Sequence, residues 1–250
     1  MKKLIIAEIP YLNCAPFYWR KNLLIPGIKI EWKQAHPREL GQKILRGEID
    51  SGPVSLLDIP KLSENFDLMP FGISAVEDAK SVILFSKKPI QELEGKSIGL
   101  TPQSVTSTEL LRLILREVYR IAPIYKDGFS ASDAAQLLIG NQALFALLDP
   151  NMNKEFPCRL DLGHAWKKWK GHSFVFALWM ARKGLPEEVR EGLETWLSEN
   201  VRLYEENPAH VIGVCEKIQG WQITDAMEYL AGFDYRPNES DFWNSLKPFK

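Results

Sequence analysis

The chain is poor in cysteine, has no long apolar run and carries almost no excess charge. Cys14, Cys158 and Cys215 are odd in number and widely scattered, which argues against a disulfide framework and suits reduced thiols. No stretch approaches the length of a membrane span. The formal net charge is -1, so no global field draws the chain to nucleic acid or to an anionic membrane. His36, His164, His172 and His210 share no ligand spacing with one another or with a cysteine or carboxylate, which argues against a metal site. A Gly-x-Ser-x-Gly elbow and a Walker loop are both missing, as are internal repeats and low-complexity segments. Met1-Lys2-Lys3 opens like a secretory leader, but Glu8 and Pro10 interrupt the apolar residues that follow, and the expectation is a cytoplasmic protein.

What the chain does contain begins at once. Leu4–Ile9 reads as a buried strand, Pro10 halts sheet pairing, and Asn13 is a preferred N-cap for a helix over Ala15–Lys21. A strand, a tight turn and a helix start put free N–H groups at the carboxyl end of a strand, where open α/β sheets bind anions. Thr101–Thr108 repeats the arrangement after a strand at Ser97–Leu100, with five hydroxyls ahead of a helix over Thr106–Tyr119. One N-cap needs one hydroxyl, so the excess suggests contacts to a carboxylate. Leu137–Leu144 is again a strand, a glycine turn and a helix, with Asn141 explained locally as a cap. Ser81 and Ser86 bracket a further strand. Lys167, Lys168 and Lys170 alternate with Trp166 and Trp169, a pattern read as a solvated helix face with packing tryptophans.

Strands and helices alternate almost throughout, which argues α/β with largely parallel strands. Gly27–Trp32 reads as a strand, Pro37–Arg46 as a helix with Leu40, Ile44 and Leu45 on its apolar face, and Val54–Ile59 as a helical turn. The polar segment after Lys87-Lys88-Pro89 suits a crossover to a second lobe, and the apolar run Phe174–Trp179 suits a return to the first. The expected division is residues 1–86 plus 174–250 for one lobe and 87–173 for the other, a hinged two-lobed binding fold with ligand in its cleft. Cys14 lies near a helix start but has no evident base partner, so packing explains it better than nucleophilic chemistry.

Seven motifs occur in register: Tyr11-Leu12-Asn13 with Pro16, Gly47–Asp50, Ser81–Ser86, Thr106-Ser107, Leu138–Gly140, Asp161-Leu162-Gly163 with Trp166, and Phe174–Ala177 with Trp179. Together they resemble the MqnA family, the chorismate dehydratases of the futalosine route to menaquinone, over about residues 4–182. The resemblance implies a periplasmic-binding-protein-like (type 2) fold and a lyase that converts chorismate to 3-[(1-carboxyvinyl)oxy]benzoate without cofactor or metal. It implies Asn13 as the catalytic residue, with Ser55, Ser81, Ser104, Thr106, Ser107 and Asn141 binding a small carboxylate substrate. Neither nucleic acid nor membrane is implied as a partner. Asn141 stands where the family usually has Asp, Gln103 where an acid is expected, and Gly171-His172-Ser173 where Gly-Leu-Pro is usual. These departures leave a second expectation, a non-catalytic binding protein for an aromatic or carboxylic molecule.

Overall fold

The structure, a computed structural model, describes residues 2–215 and 221–249. The opening apolar run forms β1 (Lys2–Glu8), and a 3-10 turn over Leu12–Cys14 leads into the short helix α1 (Ala15–Tyr18). There follow β2 (Ile28–Gln34), α2 (Pro37–Leu45), β3 (Ser51–Ser55), α3 (Ile59–Leu62) and β4 (Phe66–Ala75). Next come β5 (Val82–Ser86), β6 (Ser97–Leu100), α4 (Val105–Glu117), β7 (Ile124–Asp127), β8 (Ala135–Ile139) and α5 (Gly140–Leu148). The chain continues through α6 (Pro150–Glu155), β9 (Cys158–Asp161), α7 (Leu162–Lys170) and β10 (Phe174–Arg182). It ends with α8 (Glu187–Glu206), α9 (Pro208–Val214), α10 (Ile223–Leu230), β11 (Phe233–Asp234) and α11 (Glu239–Leu246). Among the described residues no helix is long and apolar enough to cross a membrane.

Two compact units emerge: residues 2–74, 175–215 and 221–249 in the first, and 75–174 in the second. The first unit holds a sheet of order β11-β4-β10-β3-β1-β2, the second a sheet of order β7-β6-β8-β5-β9. Parallel pairing links β1 with β2 and β3, and β6 with β7 and β8. β10 runs antiparallel to β3, and β5 antiparallel to both β8 and β9. The sheets are therefore mixed where largely parallel ones were expected. A single helical crossover imposes parallel order on the strands it joins. β10 and β5 reach their partners by longer excursions, and that constraint does not act on them.

The first unit is packed around aromatic rings. Phe17 meets Trp179 with centroids 5.3 Å apart, and Trp32 meets Trp196 at 5.2 Å. Trp179 also donates its indole N–H to the Ser51 hydroxyl at 2.7 Å, which in turn donates to the Met180 carbonyl at 3.0 Å. β3 comes against β1 so closely that a Cβ on Gly52 would lie 2.4 Å from that of Ala7. Only glycine fits there.

Several local expectations are corrected. The first helix ends at Tyr18 because side chains from α8 take the carbonyls that a longer helix would use. Asn200 donates to the Phe17 and Arg20 carbonyls at 2.8 and 3.1 Å, and the Trp196 indole donates to Arg20 at 2.7 Å. Val54 and Ser55 pair with β10 as strand, and the helical turn starts only at Leu56. Phe66–Ala75, a strand of ten residues, carries no strong alternating pattern and drew no expectation. Leu40 and Ile44 are buried on α2, but Leu45 is 56% exposed at its last residue.

In the second unit Leu110, Leu111, Ile114 and Leu115 of α4 are buried, while Val118 falls beyond the helix and is exposed. Trp166 is fully buried, and Lys170 stands 3.6 Å over the Trp169 ring, so the basic cluster is a solvated face over packed indoles.

Replacing Trp179 with Phe keeps an aromatic ring but removes the indole N–H and opens space beside Ser51. We expect a stability loss of about 1–3 kcal/mol, read from the midpoint of urea denaturation at unchanged slope.

Candidate functional site

Each sheet collects its candidate residues along one edge. In the first unit β1 and β3 are parallel and end at Glu8 and Ser55, so the Asn13 turn and Ser55 lie off the same carboxyl-terminal edge. In the second unit β6 and β8 end at Leu100 and Ile139, and antiparallel β5 begins beside the end of β8. Ser81, the start of α4 and the start of α5 therefore share one edge. The Gly140 N–H donates to the Ser81 carbonyl at 2.8 Å, tying Ser81 to the residue before Asn141.

The hydroxyl cluster divides its labour. Ser104 is the N-cap of α4, accepting from the Ser107 N–H at 3.1 Å. Thr108 donates to the Ser104 carbonyl at 2.8 Å, and Thr101 accepts from the Gln103 N–H at 3.2 Å. Thr106 and Ser107 are buried in the first turn of this thirteen-residue helix. The Ser107 hydroxyl makes no hydrogen bond among the described residues. One hydroxyl caps, and the rest of the cluster exceeds capping. The first-turn N–H groups and the dipole of α4 favour negative charge at this point.

Two asparagines behave differently from the caps expected of them. Asn13 lies inside the 3-10 turn, and neither the start of that turn nor the start of α1 has a side-chain cap. Its amide oxygen instead accepts from the Cys14 thiol at 3.5 Å. Asn141 is the second residue of α5, whose cap position is Ile139, because Gly140 with φ 55° makes the turn itself. Ser55 is buried and caps nothing. Cys14 is 1% exposed, and burial, with the Glu8 carboxylate second, pushes its thiol well above the ordinary range. That is the opposite of an activated nucleophile. His172 donates to or accepts from nothing catalytic: its ring packs on Trp166 at 5.4 Å and Nδ1 meets the Ser173 carbonyl at 3.0 Å.

Sequence reasoning assigned no role to Asp161, which organises the Ser81 segment. Its carboxylate accepts from the N–H groups of Ala79 at 3.0 Å, Lys80 at 2.6 Å and His164 at 3.0 Å. The last contact caps α7, and the first two hold Lys80 at φ 52°, a left-handed conformation uncommon for lysine. Ser81 closes the turn, its N–H and hydroxyl both on the Ala79 carbonyl at 2.6 and 3.2 Å. Burial outweighs these three donors and holds the Asp161 carboxyl above its ordinary value. Gly163 lets α7 approach, since a Cβ there would lie 2.6 Å from the Ala79 nitrogen. Aspartate three residues before a helical N–H is a readable cap signal; its reach back to Ala79 and Lys80 is not. An open groove of about 830 Å³ borders Asp161, lined also by Asp78, Tyr119, Arg159 and His164, and holds none of the expected site residues.

Solved structures define the fold class. A crystal structure of a protein from Archaeoglobus fulgidus superimposes with a TM-score of 0.70 at 19% identity, covering 98% of this chain and 94% of that one. The periplasmic aliphatic sulphonate binding protein SsuA of Escherichia coli gives 0.65 at 15% identity, covering 100% and 90%. A Candida albicans gene product described as exhibiting the generic periplasmic binding protein structural fold gives 0.63 at 12%, covering 99% and 90%. The chain is thus a protein of the periplasmic-binding-protein fold, as the family resemblance implied.

The family follows from the sequence. A family model described as menaquinone biosynthesis matches residues 4–243, and the chain belongs to that family. A chorismate dehydratase of Thermus thermophilus is 29% identical over 265 aligned positions, 96% of this chain and 92% of that protein. The match extends well past residue 182, where the motif resemblance stopped.

Asp161→Ala would leave three N–H groups without their acceptor and should lower stability by about 2–4 kcal/mol in urea denaturation. Gly163→Ala should cost about 1–3 kcal/mol by the same measurement, through overpacking against Ala79.

Proposed function

We propose that this chain is a chorismate dehydratase, a carbon–oxygen lyase that eliminates water from chorismate to give 3-[(1-carboxyvinyl)oxy]benzoate for menaquinone synthesis in the cytoplasm. The observation that carries the reading is the similarity to the Thermus thermophilus chorismate dehydratase across 96% of the chain, inside a menaquinone biosynthesis family. The residues assigned to the reaction are Asn13 and Ser55 from the edge of the first sheet. From the edge of the second come Ser81, Ser104, Thr106, Ser107 and Asn141.

The chemistry asks for the proton on the ring carbon that bears the enolpyruvyl ether, conjugated with the ring carboxylate, to be removed and the hydroxyl on the adjacent carbon to be expelled, with aromatisation as the driving force. Negative charge that builds on the carboxylate is stabilised by preorganised donors, for which the α4 start offers backbone N–H groups and the Thr106 and Ser107 hydroxyls. Ser104 contributes through the backbone it caps. Asn13 supplies amide donors that carry no charge. The substrate's own enolpyruvyl carboxylate serves as the base, and the protein's part is to bind, orient and stabilise charge.

Asn13→Ala should reduce turnover by roughly 100-fold or more while the melting temperature stays near that of the wild type. The assay follows loss of chorismate absorbance, with the product identified by mass as lighter by one water. Wild-type rates in the variant would remove Asn13 from the reaction. Chorismate binding without consumption by the unaltered protein would favour the second expectation, a binding protein that kept the ligand site.

A further inference from the structure

We propose that Cys14 is a positioning residue for Asn13: its thiol donates to the amide oxygen and leaves the amide nitrogen as the group offered to substrate. The inference rests on the reading of Asn13 as the residue that meets chorismate. An asparagine amide is nearly symmetric in shape, so a half-turn about its last bond exchanges a donor for an acceptor at little steric cost. Facing an anionic substrate, the two orientations differ in sign. The nitrogen attracts a carboxylate and the oxygen repels it. An enzyme that uses asparagine to hold an anion therefore needs something that chooses the orientation.

The structure supplies one such group. Cys14 Sγ lies 3.5 Å from Asn13 Oδ1, and the amide nitrogen makes no hydrogen bond among the described residues. The thiol is buried, and the segment that carries it is tied down by several contacts. The Cys14 N–H donates to the Tyr11 carbonyl at 2.9 Å, and Phe17 three residues on is locked by Trp179 and by Asn200. Burial and Glu8 keep the sulfur protonated, and a protonated thiol beside an amide acts as a donor. A thiolate would accept from the amide nitrogen and reverse the choice. The same burial that disqualifies Cys14 as a nucleophile thus suits it to fix its neighbour.

Three variants and two readouts test this. Asn13 side-chain amide signals in an asparagine-labelled sample are assigned by their loss in Asn13→Ala. In Cys14→Ala they should shift or broaden, and kcat for chorismate should fall by roughly tenfold, with a melting temperature close to wild type. Cys14→Ser retains a donor and should restore both the signals and kcat to within about threefold of wild type. Unmoved amide signals in Cys14→Ala overturn the proposal, and so does wild-type kcat in that variant. Equal losses in the Ala and Ser variants overturn it too, since the sulfur's volume would then be what matters. Amide signals that move in Cys14→Ala while the unaltered protein leaves chorismate unconsumed count against the chorismate reading alone, and the orientation of Asn13 by Cys14 stands.

Discussion

Three backbone N–H groups converge on the carboxylate of Asp161, and the architecture of the second unit's edge depends on that convergence. A helix start cannot be buried with its donors empty, and a loop cannot hold a lysine in a left-handed conformation without compensation. Asp161 answers both demands with one side chain. Gly163 makes the answer geometrically possible by letting the first turn of α7 touch Ala79. Ser81 then sits at the start of β5 with its hydroxyl and its N–H on the same carbonyl, and its own carbonyl receives Gly140. The turn into α5 is thereby referenced to the turn into β5.

The first unit solves a similar problem with other materials. α1 has only four residues, too few to stand on intrinsic propensity. It is held from behind by Asn200 of α8, which binds the Phe17 carbonyl, by Trp196, which binds the Arg20 carbonyl just beyond its end, and by the ring contacts of Phe17 and Tyr18. A residue nearly two hundred positions away in the chain thus fixes the exit of the turn that carries Asn13. Helix α8, which lies beyond the last of the sequence motifs, is the wall against which this turn is built.

Legibility followed the range of the forces. β1, α2, β6 and α4 were readable because apolar periodicity and local breakers define them within a few residues of sequence. A cap by one of the hydroxyls ahead of α4 was readable for the same reason, though not which one. The reversed directions of β5 and β10 were not, because strand direction is decided by which distant strand offers an open edge. Asn13 and Asn141 look like caps by residue type, yet in neither case does the side chain close the helix. A glycine with positive φ makes the turn at Asn141, and a neighbouring thiol engages Asn13. Asp161 belongs to a motif that the eye picks out, but its reach to Ala79 and Lys80 spans about eighty positions and leaves no local trace.

The place of β10 has a consequence for how the chain comes off the ribosome. It lies between β4 and β3 in the middle of the first sheet, yet it follows the whole of the second unit in sequence. Until residue 182 has emerged, β3 and β4 present unpaired apolar edges, with Val54, Phe71 and Ile73 among the residues that will later be buried. The second unit, continuous from 75 to 174, has no such wait and can complete its own sheet first. Synthesis therefore imposes an order in which β3 and β4, though made early, are among the last strands to acquire their final neighbours. That interval of exposed strand edges is when the nascent chain has most need of a chaperone.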